Sequence, residues 1–118
     1  LTTGGIGLVL VLLLCAIGPA AAAPQYLAVH KVYVTNVREG EFTVTWTTDE
    51  PSDSLLEYGA TASYGSPADD ATLVTTHSLT VTGLSASTEY HFRAGSTDAC
   101  GNGPVWSSDG TVTMSLLF

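Results

Sequence analysis

Basic side chains are nearly missing from this 118-residue sequence: Lys31, Arg38 and Arg93 stand against eleven carboxylates, for a formal net charge of −8. Nucleic-acid binding depends on cationic side chains that displace condensed counterions, so a chain this acidic has little to offer a phosphate backbone. The same sign disfavours docking of the charged part on anionic lipid and leaves residues 1–26 as the route to any membrane. Cysteine is scarce as well. Cys15 lies in an apolar run and Cys100 in a Gly-rich loop, settings too unlike to form a disulfide framework, so Cys100 reads first as a buried, inert residue, with a free thiol or an intermolecular partner as the alternatives.

The usual marks of chemistry are also missing. His30, His77 and His91 lack the short spacings of a zinc site and read as solvated or locally bonded. Asp49, Glu50 and Asp53 share one segment and Asp69-Asp70 another, without the alternating oxygen ligands and turn glycine of a calcium loop. No nucleophile sits beside a base in any recognisable pattern, so no catalytic, metal-binding or cofactor-binding residue is expected, nor an enzyme. Neither an Asn-x-Ser/Thr acceptor nor an Arg-Gly-Asp tripeptide occurs.

What is present falls into two parts, residues 1–26 and residues 27–118. Residues 6–17 read IGLVLVLLLCAI, and Gly18-Pro19 with Ala20 to Ala23 follow. An apolar core ahead of small residues is the pattern of a secretion signal, with cleavage after Ala21 or Ala22. Against it, no basic residue precedes the core, and Leu14 stands where a lipoprotein signal needs a small residue. The rival reading keeps the segment as an anchor or as the assembly helix of a pilin-like filament. It is short for a bilayer span and broken by Gly18-Pro19, and Gly5 stands where bacterial type IV pilins have Glu. Both readings stay open.

After the leader the hydrophobic period becomes two. In Glu41 to Thr47 the residues Phe42, Val44 and Trp46 share one face while Thr43, Thr45 and Thr47 share the other, as a half-buried antiparallel strand requires. Val32 to Val37 precedes it and joins it through Glu39-Gly40, a hairpin signal. Asp49 to Asp53 reads as a loop, because Pro51 is flanked by short side chains that bond their own backbone. Ser54 to Tyr58 is again a strand, with Leu56 and Tyr58 on one face. Residues 59–71 read as a loop with a short edge strand. Thr76 to Thr82 points Leu79 and Val81 inward, Leu84 follows a turn at Gly83, and Glu89 to Ala94 points Tyr90, Phe92 and Ala94 inward. Gly110 to Met114 brings the count to about seven. Short strands between turn signals, with no helical pattern, define an all-β sandwich or barrel.

Two stretches make the likeness specific. VTWTTDEPSDSLLEYG (Val44 to Gly59) resembles the B-to-C region of bacterial fibronectin type III domains, and HSLTVTGLSASTEYHFRAGSTDACGNG (His77 to Gly103) resembles their E and F strands, with Leu84, Thr88 and Tyr90 at the family's spacing. The resemblance implies a seven-stranded fibronectin type III or immunoglobulin-like sandwich behind an apolar N-terminal segment. It also implies that Trp46 is the central core aromatic and Tyr90 the corner tyrosine bonded back to nearby backbone. The expected core is Trp46, Tyr58, Leu79, Leu84, Tyr90 and Phe92. The loop Asp98 to Trp106 is the one nominated for recognition, through Asn102 and Trp106, with Trp106 more often a cap on the sandwich end.

The function expected is therefore a non-catalytic structural or adhesive module of a secreted or cell-surface protein. Its partner would be a protein or glycan at the cell surface, or copies of itself. Two alternatives accompany it: a filament subunit assembled through residues 1–26, and an accessory domain of a secreted hydrolase, since similar modules precede catalytic domains in metallophosphatases and glycosidases. Fold alone does not choose among them.

Overall fold

The computed structural model describes residues 27–115. The two readings of the leader, and with them assembly through residues 1–26, fall outside the described residues. Six strands form one curled antiparallel sheet: β1 (Val29–Arg38), β2 (Glu41–Gly59), β3 (Ser66–Val81), β4 (Glu89–Ser96), β5 (Val105–Trp106) and β6 (Gly110–Thr113). No helix occurs among the described residues.

The curl comes from β2 and β3. The first part of β2 pairs with β1 and with the end of β3, so that Val44 lies between Val34 and Leu79. The second part pairs with the start of β3 and with β4, so that Leu56 lies between Ala68 and Ala94. Each long strand thus belongs to two layers. The described residues form six strands, where the expected sandwich has seven. The β1–β2 hairpin closes at Arg38 and Glu41, with Gly40 at φ 76° taking the left-handed turn position.

The loop expected at Asp49 to Asp53 is not a loop: β2 runs through it, with the register broken only between Thr47 and Ser54. One of its polar bonds is local and the others reach a distant strand. Thr48 Oγ1 donates to the Glu50 carbonyl (2.8 Å). The Asp53 N–H donates to the Thr97 carbonyl (3.0 Å), and the Thr97 N–H returns a bond to Asp53 Oδ1 (2.7 Å). These bonds pin the bend to the end of β4. The loop expected over residues 59–71 is likewise shorter, because β3 begins at Ser66.

Between the layers lie Phe42, Val44, Trp46, Leu56, Val81, Phe92, Ala94 and Met114, all buried. Phe42 and Phe92 meet across the layers at 5.9 Å between ring centres, a tilted pair. Tyr58, Leu79, Leu84 and Tyr90 are half-buried against this cluster. Trp46 is sealed at 1% exposure, and its Nε1–H donates to Ser96 Oγ at 3.0 Å. Tyr90 accepts at its hydroxyl from the Ser85 N–H (2.8 Å), tying the corner before β4 to the strand.

Candidate recognition face

Alternation along β4 sends Phe92, Ala94 and Ser96 inward and Arg93 and Gly95 outward. Arg93 faces Glu57 across the β2–β4 pairing, and its Nε and Nη2 both donate to Glu57 Oε1, at 2.8 and 2.7 Å. Gly95 faces Trp106 across the β4–β5 pairing. Because position 95 has no side chain, the indole lies flat on the backbone there; a Cβ on Gly95 would overlap the ring. The Arg93 guanidinium then covers the indole at 4.1 Å from its centre, with the Tyr64 ring at 5.2 Å.

Tyr64 extends this stack. It stands in the loop between β2 and β3 at φ 63°, a backbone angle uncommon for a bulky residue, and its carbonyl occupies the space a Cβ on Gly59 would need. Its hydroxyl donates to Asp109 Oδ1 (2.9 Å), while Asp109 Oδ2 pairs with His91 Nδ1 (2.9 Å). Desolvation first, then the bond to Asp109, holds the Tyr64 phenol above its usual pKa of 10.0. The bond to His91 is the main reason the Asp109 carboxyl sits below 3.8. Two adjoining grooves run beside the stack. One, of about 340 Å³, passes Tyr64, Ser66 and Pro67; the other, of about 300 Å³, passes Leu55, Ala68, Asp69 and Trp106; Glu57 and Pro67 line both. Half-buried Trp, Tyr and Arg side chains beside a partly apolar groove are the composition of a protein-binding hot spot. No group on this face is placed as a nucleophile beside a base.

Trp106 is therefore no cap on the sandwich end: the pairing of β5 with β4 puts it on the outer face of the second layer. Asn102, the other nominated residue, is exposed and spent on its own loop. Its backbone N–H and its Nδ2 donate to the two carboxylate oxygens of Asp98, each at 2.9 Å, and its carbonyl accepts from the Asp98 N–H at 3.0 Å. Cys100, expected to be buried, is exposed on this loop and is not a free thiol; the loop closes around the Asp98 carboxylate and leaves position 100 outside.

His77 is the largest correction among the titratable residues. It is buried at 1% exposure and stacked on Trp46, ring centres 5.0 Å apart and planes 4° from parallel. Both ring nitrogens are hydrogen-bonded, Nδ1 with Ser54 Oγ (2.8 Å) and Nε2 with Thr48 Oγ1 (2.9 Å). Burial holds its pKa below 6.5, against a smaller opposing pull from Asp53. Here a serine does touch a histidine, but Thr48, Ser52, Ser54 and His77 are all buried, so the cluster fastens the bend of β2 and offers no route to a substrate. His30 is exposed and pairs with Asp49 at 3.0 Å. Among the described residues no three His, Cys, Asp or Glu side chains converge as a metal site.

The signal for His77 was available: it shares parity with Leu79 and Val81, the inward residues of the same strand. Tyr64 gave no such signal, since its place beside Arg93 depends on how the loop folds back.

Fold and comparison agree on the class of protein, an FN3-like β-sandwich module. A solved structure titled as a myokine matches with a TM-score of 0.64 at 18% identity, over 77% of this chain and 99% of that one. The FN3 domain of human collagen XX matches with a TM-score of 0.56 at 19% identity, over 84% and 100%. A computationally redesigned β-sandwich protein matches with a TM-score of 0.57 at 26% identity, over 81% and 100%. A search of curated proteins returned no match. The family model of the purple acid phosphatase N-terminal domain matches residues 29–114, and the chain belongs to that family.

Proposed function

We propose that this chain is a non-catalytic extracellular module that serves as the accessory domain of a metallophosphatase, docking a neighbouring protein domain through the Trp106–Arg93–Tyr64 face. The observation that carries the reading is the family match across the whole sandwich, residues 29–114. The outer face supports it: an indole fixed between backbone and guanidinium is a rigid anchor, losing little side-chain entropy on binding. The buried Ser54–His77 pair is closed to substrate, which supports a non-catalytic role. The family match favours the accessory role over adhesion or filament assembly.

The isolated chain, supplied with ferric and zinc ions, is expected to release no phosphate from p-nitrophenyl phosphate between mildly acid and neutral pH. Antibody against the chain is expected to deplete metal-dependent phosphatase activity from the medium of the native source. Turnover by the chain alone would overturn the non-catalytic role. Undiminished activity in the depleted medium, or recovery of the chain only from cytosol, would overturn the accessory or the extracellular reading respectively.

A further inference from the structure

Strand edges offer unpaired backbone groups to any passing chain, and proteins usually guard them with charge, proline, bulges or brevity. Three of the described edges are guarded in these ways. β1 breaks register twice and carries Lys31 and Arg38. β5 and β6 are short and separated by residues 107–109. β3 begins with Pro67, Asp69 and Asp70. From Ala71 to Val81, however, β3 continues as ATLVTTHSLTV, with neither proline, glycine nor formal charge; its register with β2 breaks on either side of Val74 and is regular from Thr76 to Val81, and among the described residues it pairs on one side only, with β2. Leu73 on this stretch is 43% exposed, one of two large exposed apolar side chains of the described residues. High β-propensity, low charge and a free edge together make a template for strand addition.

The geometry points to the regular part of this edge as a self-association surface, on which a second copy of the chain adds its own β3, antiparallel, across Thr76–Thr80. The charge distribution selects the occupant. At −8, two copies repel over most of their surfaces, but residues 71–88 carry no Asp, Glu, Lys or Arg, the longest such run among the described residues. A basic partner would instead be drawn to Glu57, Asp69 and Asp109 on the other layer. Antiparallel pairing of one strand with itself is self-complementary about a twofold axis, and with that axis at Ser78 it sets Ser78 against Ser78 and Thr76 against Thr80, a favourable cross-strand pairing. This surface is independent of the recognition face and of the proposed function.

Hydrogen exchange of the full chain at about 1 µM and about 100 µM tests it; amides within residues 76–80 are expected to exchange at least about tenfold more slowly at the higher concentration. The double variants T76K/S78K and T76E/S78E place like charges across the twofold and are each expected to lose the concentration dependence, with far-UV circular dichroism unchanged. Mixing the two is expected to restore it. Protection equal at both concentrations would mean that the edge is open, or covered within one chain, and would overturn the proposal. Concentration-dependent protection elsewhere, with residues 76–80 unaffected, or protection that survives both variants, would also overturn it.

Discussion

Trp46 and Ser96 form a hydrogen bond that crosses the sealed core from β2 to β4, and a mutant cycle measures what it holds. Trp46→Phe removes the N–H that Ser96 Oγ accepts at 3.0 Å and leaves a hydroxyl at 0% exposure without a partner. An abandoned buried polar group costs about 1–3 kcal/mol. The smaller ring leaves a void of about 40 Å³, which at about 24 cal/mol per Å³ adds about 1 kcal/mol. Trp46→Phe should therefore lose about 2–4 kcal/mol. Ser96→Ala strands the indole N–H instead and should lose about 1–3 kcal/mol. The double variant W46F/S96A abandons no polar group, so it should lose only about 1–2 kcal/mol, less than the sum of the singles by about 2–5 kcal/mol. Urea unfolding followed by far-UV circular dichroism reads all four proteins. Losses that add to within about 0.5 kcal/mol would show the two groups uncoupled and refute the bond's role in joining the layers.

Three further outcomes follow from the same contacts. His77 binds its proton more weakly in the fold than in the unfolded chain, so its contribution is complete above pH 6.5 and is lost as pH falls through that value toward the folded pKa; Tm should drop between about pH 7.5 and 5, and His77→Gln should flatten the slope. A Gly95→Ala variant puts a methyl where the Trp106 ring lies, so the indole must leave its place under Arg93; a loss of about 1–3 kcal/mol and a red shift of Trp106 emission are expected, read in a Trp46→Phe background. Tyr90→Phe leaves the Ser85 N–H without its acceptor and should cost about 1 kcal/mol in urea unfolding.

The sequence by itself determined the layers and their contents. Alternation placed Phe42, Val44, Trp46, Phe92 and Ala94 inside, because a side chain's face follows from its parity along an extended strand, and that parity is local. It also held the position of His77, beside Leu79 and Val81, which composition obscured: histidine is read as polar until a stack and two hydroxyl partners make burial affordable. Tertiary structure alone decided three things. The polar run Asp49 to Asp53 stayed in β2 because Thr97 satisfied its backbone. Trp106 reached the outer face because Gly95, eleven positions earlier, left it room. Tyr64, Arg93 and Asp109 became neighbours through pairings distant in sequence. Local periodicity says which way a side chain points, whereas its companions on that face depend on which strands meet, and that is settled only when the whole sheet has closed.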